Sequence, residues 1–140
     1  MKKNVLISVV TEQSFADGGS DSIELVSPGT LYEKAGSYFI VYDESELTGM
    51  PDTKTTVRLH RDGVNVLRTG KFPSNMMFEE GKQNLSSYGT EYGDMTVTVN
   101  TERIISDISE EGGLIELIYT LELDHRHIGR NHIKITVSEQ

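Results

Sequence analysis

In the run 64–69, Arg68 shares strand parity with Val64 and Val66, which carries its guanidinium along a face that is otherwise apolar. A guanidinium on such a face needs a fork of acceptors, because an unpaired buried charge is strongly disfavoured. Glu44, Glu79 or the carboxylate of a bound molecule would supply that fork. Tyr42, Tyr88 and Tyr119 offer rings to line a pocket and hydroxyls to aim at a polar ligand, a role that competes with plain packing on a pleated sheet. Thr55 adds a hydroxyl donor, as do Thr56 and Thr90. Arg68, Tyr42, Glu44, Thr55, Glu79, Tyr88 and Tyr119 therefore form the candidate ligand-binding set, and the chemistry they suit is recognition of a small amphipathic or anionic molecule.

Other chemistries find less support. His125, His127 and His132 have spacing that suits a metal, since residues two apart on a strand share a face, but Arg126 and Arg130 beside them oppose a cation. An exposed hairpin accounts for them, and His60 stands alone. Asp43, Glu44, Glu46 and Asp52 lack the alternating spacing and the glycine of a calcium loop. The chain contains no nucleophile elbow, phosphate-cradling glycine loop or paired histidine-glutamate zinc helix. Glu44 and Glu79 would make a glycosidase-like pair only if the fold brought them together. No residue is assigned as catalytic, and no metal or cofactor is called for.

The elements that must position these residues are strands. Met95, Val97 and Val99 alternate with Thr96, Thr98 and Asn100, and Ile115, Leu117, Tyr119, Leu121 and Leu123 alternate with polar residues apart from Ile118. Further strands are expected over 4–13, 22–34, 37–43, 53–61, 64–69, 74–80, 84–91 and 131–138, giving about ten. Short glycine-bearing links separate several of them: Arg61-Asp62-Gly63, Glu80-Gly81-Lys82, Tyr92-Gly93-Asp94, Glu110-Glu111-Gly112-Gly113 and Ile128-Gly129-Arg130-Asn131. Glycine tolerates the positive φ that tight hairpins need, so sequential antiparallel pairing follows. Glu44 to Met50 is the nearest approach to a helix, and Gly49 with Pro51 ends it. Without crossover helices the sheet is antiparallel, and closure removes its edges. The fold class is therefore all-β, a single closed antiparallel meander barrel of about eight to ten strands, lipocalin-like in kind.

At 140 residues, 36% hydrophobic and 25% charged, the chain has the composition of one globular domain over 1–140. Thirteen Lys plus Arg against twenty-two Asp plus Glu give a net charge of −9, which repels a phosphate backbone, so nucleic acid is not expected as a partner. The chain has no cysteine, which excludes disulfides, thiolate metal sites and a cysteine nucleophile. Met1-Lys2-Lys3 precedes Val5, Leu6, Ile7, Val9 and Val10, but Ser8 interrupts the run and Thr11-Glu12-Gln13 ends it, so it reads as a strand rather than a signal peptide. No stretch approaches the roughly eighteen apolar residues that span a bilayer. A soluble, cytoplasmic protein without a membrane partner is expected.

Tyr42-Asp43-Glu44 leading to Thr48-Gly49, Thr55-Thr56, Leu67-Arg68-Thr69-Gly70, Met77-Phe78-Glu79 and Tyr88-Gly89-Thr90-Glu91-Tyr92-Gly93 together resemble the YwiB-like proteins, a bacterial group of lipocalin-like (calycin) barrels. The resemblance continues through Gly113-Leu114-Ile115-Glu116-Leu117-Ile118-Tyr119 to Asn131 and Ile133. It implies a cytoplasmic β-barrel and speaks to fold rather than to biochemical role. His125-Arg126-His127 lies outside it.

Three functions are compatible with these residues. The first is a barrel that binds a small molecule at its lumen or mouth through Arg68 and the tyrosines. The second is a filled barrel acting as a homodimer. It is motivated by strand 38–42, where Tyr38, Ile40 and Tyr42 face one way while Phe39 and Val41 face the other. The third is an enzyme with a site at the barrel mouth.

Overall fold

A computed structural model describes residues 2–44, 52–71, 73–90 and 93–140, with 88–90 described by their backbone alone. Runs rich in β-branched and aromatic residues take the extended conformation as ten strands: β1 (Lys2–Phe15), β2 (Ser20–Lys34), β3 (Ser37–Asp43), β4 (Thr53–His60), β5 (Gly63–Gly70), β6 (Ser74–Phe78), β7 (Gln83–Thr90), β8 (Gly93–Ser109), β9 (Gly112–Leu123) and β10 (Arg126–Glu139). Each pairs antiparallel with its sequence neighbour, and β1 pairs with β10 to close the barrel. The expected all-β class, meander order and closure are therefore as the sequence dictates. Glu46 and the Thr48-Gly49 pair lie outside the described residues.

Two bulges explain where strand boundaries differ from expectation. In β8 the register against β9 slips between Thr101 and Arg103, so Glu102 is an extra residue. Val97, Val99 and Thr101 are buried before the slip, whereas Ile104, Ser106 and Ile108 pair with the inward Leu117, Ile115 and Gly113 after it. This inversion of parity hides the second half of a strand that runs unbroken to Ser109. In β10 the register slips between His127 and Gly129, with Ile128 as the extra residue. The segment Ile128-Gly129-Arg130-Asn131, expected as a turn, is strand. The turn lies instead at Asp124-His125, both in the left-handed region at φ 52° and 65°. Gly129 is required by contact rather than by a turn: a Cβ there would stand 2.6 Å from the Ser14 carbonyl oxygen of the adjoining strand.

The interior is filled at one end and open at the other. Val5, Ile7, Leu31, Ile40, Val64 and Phe78 have almost no exposure and occupy the end where the β2–β3, β4–β5 and β6–β7 turns gather. At the opposite end the inward positions carry smaller or polar groups, among them Thr11, Thr55, Ser74, Ser86 and Asn131. A barrel of this size has room for a small lumen there. Met95, expected in the core, is 37% exposed near that open end. The outward Phe39 of β3 is covered within the chain: Tyr32 stacks on it at 4.9 Å between ring centroids, and the Arg58 guanidinium lies 5.9 Å from its centroid. The apolar outer face that suggested a partner copy is thus partly satisfied locally.

Candidate functional site

Antiparallel register brings four of the expected residues to one level of the barrel wall. Tyr42 of β3 pairs with Thr55 of β4, which pairs with Arg68 of β5, which pairs with Ser74 of β6. Inward parity points all four positions at the lumen, and Glu44, two residues beyond Tyr42, continues the same face. The Glu44 side chain is 3% exposed and that of Arg68 13%. Thr55 Oγ1 donates to Glu44 Oε1 at 2.7 Å, and Arg68 Nε stands 3.6 Å from the same oxygen. The separation neutralises charge but is too long for a hydrogen bond. Among the described residues Arg68 Nε is buried without an acceptor, and the Ser74 hydroxyl on the paired position is likewise buried without a partner.

Burial pushes the Tyr42 hydroxyl well above the ordinary tyrosine value of 10.0, reinforced by the charge of the nearby Glu44 carboxylate and opposed in part by Arg68. The folded state therefore holds this proton where the unfolded chain would release it. Stability is expected to fall as pH rises past about 10, the unfolded value, and to be unaffected by this group below it. Urea titrations across that range should show the alkaline loss reduced in Tyr42→Phe. An unchanged slope would mean that Tyr42 ionises as freely in the fold as outside it.

Tyr42, Glu44 and Arg68 edge a cavity of about 170 Å³ that opens at the barrel end. Its deeper wall is apolar, formed by Val9, Leu25, Val57, Val66, Met76, Leu117, Ile133 and Ile135, and its outer wall carries Thr11, Gln13, Glu44, Arg68 and Asn131 beside Tyr42 and Tyr119. The Tyr119 ring meets Phe78 edge-on at 4.7 Å between centroids, which links the cavity wall to the packed end.

Of the seven candidates, Arg68, Tyr42, Glu44 and Tyr119 line this lumen, and Thr55, fully buried, donates to Glu44 from behind it. The backbone of Tyr88 pairs with Ser74, and its side chain lies outside the described residues. Glu79 stands apart. It follows Phe78, which pairs with Val64 at the packed end, and its carboxylate faces Lys82 at 3.4 Å. It is neither the partner of Arg68 nor the second half of a carboxylate pair with Glu44. The histidines also separate: His125 forms the β9–β10 turn, while His132 faces outward beside Glu116 at 3.8 Å. Thr11, Gln13 and Asn131 also line the cavity, outside the candidate set. They continue the inward parity of Val5, Ile7 and Val9 and of Ile133 and Ile135, so a polar residue extending an apolar row was their signal.

A closed ten-stranded antiparallel meander with a polar-rimmed lumen at one end defines the class, a small β-barrel without helices among the described residues. The chain belongs to the family described as "Domain of unknown function (DUF1934)", whose model matches residues 7–135. It is similar to "Uncharacterized beta-barrel protein YwiB" of Bacillus subtilis (strain 168), with 30% identity over 115 residues, 79% of this chain and 80% of that one. The crystal structure of ywiB protein from Bacillus subtilis has the same fold, with a TM-score of 0.80 at 23% identity over 96% of this chain and 92% of that one.

Proposed function

We propose that this protein is a small-molecule-binding barrel of the lipocalin-like kind, which works in the cytoplasm and holds one compact amphipathic molecule at its open end. The observation that carries this reading is a cavity of about 170 Å³ whose largely apolar wall includes Arg68, a residue whose buried Nε has no acceptor among the described residues. Buried polar groups are almost always hydrogen-bonded, and the exceptions need a reason. A ligand that brings an acceptor to Arg68 and lays its apolar part against Val66, Met76 and Leu117 supplies one. The cavity size also fits, since an engineered apolar cavity of roughly 150 Å³ holds benzene. Outward-facing Glu116, Glu122, Arg130 and Lys134 support water rather than lipid as the solvent around the barrel.

Native mass spectrometry of protein purified gently from its own host is expected to show a reproducible added mass. Val66→Phe, which fills the lumen, is expected to abolish it. Bare protein from repeated gentle preparations, together with no change in lumen amide signals on adding small amphipathic compounds, would overturn the reading.

A further inference from the structure

Resting on that reading, we infer that Asn131 reads the ligand, and that the ligand meets it with a cyclic-amide edge, an N–H beside a C=O on one ring. Asn131 continues the inward row of Ile133, Ile135 and Val137 along β10, is 5% exposed, and lines the cavity. Its carboxamide makes no hydrogen bond among the described residues, and neither its oxygen nor its nitrogen is sealed off as Arg68 Nε and the Ser74 hydroxyl are. The polar atoms of Asn131 are thus withdrawn from bulk solvent and open to the lumen. Buried polar groups are otherwise paired, so this combination marks a side chain placed to meet a ligand.

Register builds a polar wall around it. Asn131 pairs with Gln13 of β1 on one side and with Tyr119 of β9 on the other, and all three line the cavity. Gln13, half-buried, sets a second carboxamide beside the first. In the closed order of ten strands β10 and β5 are five apart, so this wall stands across the lumen from Arg68. On that far side Glu44 is already engaged, with Thr55 donating to it at 2.7 Å and Arg68 beside it. Uncommitted donors and acceptors lie on the Asn131 side.

A carboxamide carries an acceptor oxygen and a donor NH₂ side by side. A lactam, cyclic imide or cyclic ureide holds its own N–H and C=O on one edge of a ring and satisfies both groups with two parallel hydrogen bonds; an open-chain secondary amide, being trans, does not. A ligand that displaces solvent from Asn131 without reproducing those bonds loses affinity. The rest of the ring would lie against Val57, Val66, Ile133 and Leu117, which offer only hydrocarbon.

The test uses the intact protein at neutral pH and three one-ring probes: 4-methyl-2-pyridone, its isomer 1-methyl-2-pyridone, in which the methyl group replaces the N–H proton, and toluene. ¹H–¹⁵N spectra report site and affinity together, through the backbone amides of Gln13 and Ile133 and the side-chain NH₂ of Asn131. The 4-methyl isomer is expected to shift all three and to bind about tenfold more tightly than the 1-methyl isomer. Asn131→Leu, which keeps the volume and removes both polar groups, is expected to abolish that preference while toluene binds at least as well as before. Equal affinity of the two isomers in the wild type would overturn the inference and leave lumen binding standing, as would a preference that survives Asn131→Leu or a lumen that takes toluene alone. If none of the three shifts a lumen amide, the binding reading itself falls.

Discussion

Arg68→Met is expected to lower folding stability by about 3–5 kcal/mol, the usual cost of removing one partner of a buried ion pair. Glu44, 3% exposed, would keep its hydrogen bond from Thr55 but lose the guanidinium set 3.6 Å from its carboxylate. The double substitution Arg68→Met with Glu44→Gln is expected to recover much of the loss, because a neutral amide needs no counter-charge. Urea denaturation of the four proteins closes the cycle, and a coupling energy of about 1–3 kcal/mol is expected between the two sites. Additive losses would show that the charges stabilise the barrel independently of one another.

That pair also shows what a sequence can reveal of such a site. Parity alone puts Arg68 on the inner face, and the physics of burial demands a partner for it; both steps need only local spacing. The choice between Glu44 and Glu79 needs height along the barrel, which is set by register between strands, and register is not written in either strand alone. Tyr42↔Thr55↔Arg68 is one level of the wall, while Val64↔Phe78 is another, and only the pairing separates Glu44 from Glu79. The number and order of strands were legible because glycine-bearing turns punctuate alternating runs. The half of β8 beyond its bulge and the start of β10, from Arg126 to Arg130, were not, because one extra residue at Glu102 or Ile128 inverts which residues face the core. The turn at Asp124-His125 was obscured for another reason: it places two non-glycine residues at positive φ, while the nearby Gly129 serves a close backbone contact.

Phe78→Ala should be the costliest substitution in the apolar interior, with an expected loss of about 3–5 kcal/mol. Phe78 is 1% exposed, lies edge-on to Tyr119, and occupies the packed end beneath the lumen. Its removal takes away both transfer energy and the ring contact, and the rigid hydrogen-bonded wall of a closed barrel has little freedom to collapse into the space. The cavity is therefore expected to deepen toward Val64, so that compounds longer than one ring gain affinity while denaturation shifts to lower urea. A loss below about 1 kcal/mol would show instead that neighbouring side chains repack into the gap.

The pairing of β1 with β10 sets the timing of assembly. Eleven residue pairs, from Val5↔Glu139 to Phe15↔Gly129, join opposite ends of the barrel's sequence. Contacts this distant in sequence slow folding, because the loop between them must close before the pairing is gained. At bacterial and eukaryotic elongation rates of roughly 5–20 residues per second, β1 waits on the order of 6–25 seconds after its own synthesis for its second neighbour to be made. Throughout that interval the nascent chain carries an unpaired strand edge flanked by Val5, Ile7 and Val9, the condition under which β-rich chains associate with one another or engage holding chaperones.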